Sequence, residues 1–67
     1  MMNQRMEQRI LRLPQVMEMV GLRKTAVYQR IKENNFPAPI KLGSASGWIQ
    51  RDIEDWINQQ VARQQGQ

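Results

Sequence analysis

The chain contains no cysteine and no histidine. Without thiols there is no disulfide framework and no thiolate metal site, and without imidazole the commonest metal ligand is missing. No stretch approaches the roughly 20 consecutive apolar residues of a membrane span. The opening residues, MMNQRMEQRI, hold no apolar run of the kind a secretory leader carries. A cytoplasmic protein with no membrane partner, no cofactor and no small-molecule ligand is therefore expected. The absence of disulfides is compatible with that compartment. At 67 residues the chain makes one small domain. Such a domain buries only about 60% of its unfolded surface, so a stability of a few kcal/mol is expected.

Charge is present, and it is uneven. Lys plus Arg number 10 against 6 acidic residues, a net +4. Excess positive charge argues about polyanionic partners rather than about fold. Arg23, Lys24, Arg30, Lys32 and Lys41 occupy the middle of the chain with Glu33 as their only acidic neighbour, whereas Asp52, Glu54 and Asp55 cluster later. Asp52 and Asp55 lie one helical turn apart, but with no histidine or metal ligand beside them they make no acid–base pair. No enzymatic activity is expected.

Hydrophobic spacing organises the chain around LPQVMEMVGLRKTAVYQRIKE, residues 13–33. Pro14 suits the first turn of a helix, and Val16, Met17, Met19 and Val20 supply its apolar face. Gly21 stops it, because glycine accepts positive φ without a steric penalty. A second helix is predicted over about 24–33. At 100° per residue, Val27 and Ile31 form its inner seam while Thr25, Tyr28, Gln29 and Lys32 face outward. Its start breaks local rules, because Arg23 sits where Ser or Asp would cap and its charge opposes the helix dipole. A phosphate docked there would relieve both defects; a tolerated surface residue is the plainer alternative. Asn34 and Asn35 end the helix.

Residues 1–9 read as a flexible arm, and Arg5, Arg9 and the following Arg12 can reach a phosphate backbone or simply stay solvated. Ile10, Leu11 and Leu13 form a short extended lead-in beside a later hairpin. Phe36, followed by Pro37 and Pro39, plugs the core and forces extended chain. Ile40–Leu42 and Trp48–Ile49 are predicted as strands flanking a tip over 43–47, with Trp48 as anchor. From Arg51 a third helix places Ile53, Trp56, Ile57, Gln60 and Val61 at helical spacing. The fold class is mainly α with a small β-hairpin: a winged helix-turn-helix of three helices plus a wing at about 40–49. It is expected to fill residues 10–62, with 63–67 as a frayed tail.

These elements resemble the AlpA-type prophage regulators, relatives of small phage excisionases and of the winged-helix domain of MerR-like proteins. The likeness runs over about residues 9–62. It rests on the Val16–Gly21–Leu22 turn, Val27-Tyr28 with Ile31-Lys32, Phe36-Pro37 with Pro39, Lys41-Leu42-Gly43, Gly47-Trp48, and Asp52-Ile53 with Trp56-Ile57. The family usually has a Ser-like cap where Arg23 stands, a basic wing tip where Ser44, Ala45 and Ser46 stand, and a Ser or Asp at Arg51. The resemblance implies a bacterial or prophage-borne regulator that binds double-stranded DNA. The alternatives are an excisionase-like factor that bends DNA beside an integrase, and, from another class, a module whose basic helix docks on an acidic protein.

Carried over by position, Arg23, Lys24, Thr25, Tyr28, Gln29 and Lys32 would face the major groove. Ser44 to Ser46 would meet a neighbouring groove or backbone. Arg23, Lys24, Arg30, Lys32 and Lys41 would contact phosphates, and about five such contacts predict a log–log salt slope near −4 to −5. Gln29 is the expected base reader, because its amide matches adenine bidentately; Lys24 or Arg23 would read guanine and Thr25 a thymine methyl. Arg30 lies nearer the seam and is open to pairing with a carboxylate of another helix. Tyr28 is open to core packing or phosphate contact. One module covers only roughly 600–1,000 Å², so neighbouring copies on DNA or a partner protein are expected.

Overall fold

A computed structural model describes residues 9–65. In chain order the elements are β1 (Ile10–Leu11), α1 (Leu13–Val20), α2 (Lys24–Lys32), β2 (Ile40–Leu42), β3 (Ala45–Ile49) and α3 (Gln50–Gln65). The mainly α architecture with a small antiparallel sheet is a winged-helix-like fold. Residues 1–8, most of the expected arm, lie outside the described residues, as do 66 and 67.

The helix pair forms for the anticipated reasons. Pro14 sits in the first turn of α1, and the Gln15 amide oxygen accepts the Arg12 N–H at 2.8 Å. Gly21 closes α1 in the left-handed region at φ 72°, and its N–H donates to the Met17 carbonyl. At the end of α2, Asn34 takes φ 63°. Asn34 N–H donates to Ile31 O and Asn35 N–H to Arg30 O, the two bonds of a Schellman motif. Helical geometry therefore ends at Lys32, with Glu33 as cap rather than last helical residue.

One core joins everything: Leu11, Val16, Val27, Phe36, Trp48 and Ile53 are buried together. Leu13, Met17, Val20, Leu22, Ile31, Trp56 and Ile57 pack around them. Trp48 Nε1–H donates to the Pro37 carbonyl at 3.0 Å, so the anchor of the hairpin also ties down the loop leaving α2. Phe36 meets Trp56 edge to face with centroids 4.8 Å apart, and Trp56 Nε1–H donates to the Asn35 carbonyl at 2.7 Å. Two tryptophans thus fix the extended segment that the prolines begin.

The sheet differs from expectation in three respects. Its strand order is β1-β3-β2, with Ile10 opposite Ile49 and Ile40 opposite Gly47, so the lead-in is a paired strand. The five-residue tip reduces to a turn at Gly43-Ser44, because Leu42 already pairs with Ala45. Of the two turn residues only Gly43 has positive φ, the pattern of a II′ turn, whose twist suits a hairpin. Gly47 is therefore not a tip residue. A Cβ there would overlap Ile10 Cγ2 and lie 2.9 Å from Leu42 Cδ1, so glycine lets two side chains meet across β3.

The third helix starts one residue early. Gln50 follows β3 directly, and its N–H donates to the Arg9 carbonyl at 2.8 Å, so strand pairing hands over to helix without a loop. Arg51 is inside the helix rather than at its cap. Two apolar positions also fall outside the core: Met19 is 39% exposed and Val61 46%. At 100° per residue Met19 falls to one side of the face that Leu13, Val16, Met17 and Val20 turn inward, and α3 runs past the body it packs on through Gln65. No helix among the described residues is long and apolar enough to cross a membrane.

Candidate nucleic-acid interface

The outer surface of α2 follows from its inner one. With Val27 fully buried and Ile31 packed beside it, the helical period turns Lys24, Thr25, Tyr28, Gln29 and Lys32 outward. Those five side chains line one open depression of about 500 Å³. Arg23 stands at the start of α2 in extended conformation (φ −86°, ψ 166°), with no side-chain hydrogen bond capping the first turn. The defect visible in the sequence is thus present in the structure: free N–H groups, a cation at the cap position and another one residue later. None of Arg23, Lys24, Lys32 and Lys41 has an ion-pair partner among the described residues, which leaves a run of unneutralised charge.

Tyr28 joins this surface to the β2–β3 hairpin. Its ring meets Trp48 edge to face at 6.4 Å while 41% of the residue stays exposed, so ring packing leaves its outer edge accessible. Strand alternation puts Trp48, Ser46 and the opposing Lys41 on one face of the hairpin. The same face that meets Tyr28 therefore carries Lys41 and Ser46 farther out. Ser46 lies within β3, half-buried opposite Lys41, whereas Ser44 is exposed in the turn. These two serines do not form one tip.

Arg30 packs against another helix. Its guanidinium lies 6.0 Å from the Trp56 ring centroid, a cation–π contact between α2 and α3. Its partner is a ring rather than the carboxylate considered for it. It lines a cleft of about 620 Å³ between the end of α2 and α3, together with Asp52, Asp55 and Trp56.

One participant went unread. Glu33 accepts a hydrogen bond from Gln29 Nε2 at 2.8 Å. The signal was available in the sequence, since a glutamine and a glutamate four apart on a helix are neighbours. Among the described residues no cluster of three or more His, Cys, Asp or Glu is placed to hold a metal ion.

Comparison with known proteins gives a consistent result. The family described as prophage CP4-57 regulatory protein (AlpA) matches residues 9–61. A protein of Escherichia coli (strain K12), described as the DNA-binding transcriptional activator AlpA, is 35% identical over 65 residues, covering 87% of this chain and 93% of that one. An uncharacterized protein of Enterobacteria phage P4, ORF88, is 31% identical over 57 residues, covering 84% of this chain. The chain spans 65% of the length of that phage protein. No solved structure matches.

Proposed function

The chain belongs to the AlpA family of prophage regulatory proteins, and on that premise we propose that it is a cytoplasmic DNA-binding transcriptional regulator. In this reading α2 enters the major groove and the β2–β3 hairpin acts as a wing. The observation that carries it is the depression on α2, where Lys24, Thr25, Tyr28, Gln29 and Lys32 converge on one outward surface beside the uncapped helix start. Support comes also from the family and from the description of the Escherichia coli relative as a DNA-binding activator.

Roles divide between affinity and specificity. Arg23 and Lys24 take a phosphate at the α2 start, where backbone N–H groups add to their charge. Lys32 contacts the backbone one groove edge away, and Lys41 does so from the wing. Gln29 reads adenine, and Thr25 packs on a thymine methyl. Tyr28 holds helix and wing in fixed relation through Trp48 and offers its exposed edge to the backbone. Ser44 and Ser46 add only neutral hydrogen bonds, so α2 carries most of the affinity.

With Arg30 committed to Trp56, four phosphate contacts remain, and a log–log salt slope of about −3.6 is expected. Mobility shifts over a salt series, on duplex from the chain's own locus and on a scrambled duplex, test the reading. A slope near that value with preference for the native duplex supports it. Salt-insensitive or absent binding contradicts it and favours the alternative of an acidic protein partner. A module of this size covers only roughly 600–1,000 Å² of surface, so tight occupancy should require neighbouring copies or a partner protein such as an integrase.

A further inference from the structure

Glu33 is out of place on a DNA-facing surface. It is a carboxylate at the C-terminal end of a helix, where the dipole disfavours negative charge, and it adjoins a run of cations that would otherwise attract phosphate unopposed. Its position is nevertheless tightly defined. The Glu33 N–H donates to Gln29 O, and the next two residues form the Schellman motif that Trp56 fastens through the Asn35 carbonyl. From this fixed backbone its carboxylate takes the Gln29 side chain at 2.8 Å.

An ionised carboxylate only accepts hydrogen bonds, so the Gln29 amide must turn its nitrogen toward Glu33. The amide nitrogen has two hydrogens. With the one trans to the oxygen given to Glu33, the opposite edge offers Oε1 as acceptor and one N–H as donor. Adenine presents the complement in the major groove, N6–H as donor beside N7 as acceptor. Guanine presents two acceptors, N7 and O6, and would set O6 against Oε1. Reading guanine with two bonds would require both amide hydrogens, one for N7 and one for O6, and one of them is held by Glu33.

We propose that Glu33 is a positioning residue that makes Gln29 a one-way reader, selecting adenine over guanine at one base pair of the site. This rests on the assignment of α2 as the recognition helix. Glu33 contacts no base itself; it gives up some affinity through phosphate repulsion and sets which base is accepted.

The test is selection from a randomised duplex library by the full chain and by Gln29→Ala, Glu33→Ala and Glu33→Asp, with thermal melts of each. The unaltered chain should favour adenine over guanine by roughly tenfold at one position, and Gln29→Ala should abolish that preference. Glu33→Ala should keep the fold and bind unselected duplex as well or better, while the preference at that same position falls to within about threefold. Glu33→Asp, which keeps the charge but withdraws it by one methylene, should lose preference without gaining affinity for unselected duplex. A merely structural Glu33 would move the melt and leave base preference untouched. If Gln29→Ala abolishes the preference and both Glu33 variants retain it, this inference falls and the recognition helix stands. If Gln29→Ala changes nothing, or the unaltered chain shows no adenine preference, the recognition-helix reading falls with it.

Discussion

Helices α1 and α2 hang on the core by the same device and differ in their first turns and outer faces. Each contributes one fully buried valine, Val16 and Val27, and they have eight and nine residues. At its start α1 has Pro14 and the Gln15 side chain returned to the Arg12 N–H, and at its end a glycine cap. Both caps are arginines that make no side-chain cap bond, but α2 adds a second cation at Lys24 and has no proline in its first turn, and its outer face is polar throughout. Neither helix is long enough to persist alone, so packing holds both. The difference shows where a small domain leaves its own needs unmet. Both starts share one defect, an extended arginine at the cap position, and α1 offsets it with Pro14 and the Gln15 bond where α2 does not.

The largest effects should fall on what the helices share. Val16→Ala and Val27→Ala should each cost about 2–3 kcal/mol in denaturant unfolding, through lost burial and the cavity left behind. If only one of them does so, the common anchoring is wrong. The helices should then separate on their outer faces. Gln29→Ala should leave the melting temperature nearly unchanged yet cost about 1–3 kcal/mol of discrimination between native and altered duplex. Arg23→Ser sharpens the contrast most, because it should move two quantities in opposite senses. A serine there can accept from the first-turn N–H groups and should stabilise the fold by about 1 kcal/mol. Loss of one cation should weaken DNA binding and bring the salt slope closer to zero by about 0.9. The smallest effect is expected from Gln15→Ala, about 0.5–1 kcal/mol of stability with no change in DNA affinity.

Much of this contrast could be read before any coordinates. Periodicity alone separated Val27 and Ile31 from Thr25, Tyr28, Gln29 and Lys32, and the missing cap at Arg23 is a matter of residue type and place. Phe36 and Trp48 were identifiable as anchors by size and by the prolines and glycines around them. What escaped depends on contacts between segments distant in the chain. Arg30 reads as one more cation until Trp56, on another helix, is brought beneath it. Gly47 reads as a turn residue until β1 arrives across β3 and Ile10 needs the space. Val61 fits the helical period, but periodicity does not say where the rest of the body ends. Glu33 was different: its spacing from Gln29 was in plain view, and its meaning depended on the amide's orientation.

If α2 rather than α1 meets DNA, an NMR titration will locate the contact. Amide shifts of the full chain would be followed while duplex from its own locus is added. The largest changes should fall on residues 23–33, with smaller ones at Lys41 and Ser44 and little on the outer face of α1 at Gln15, Glu18 and Met19. Shifts concentrated on α1, or on the acidic first turns of α3, would rule out α2 as the recognition helix.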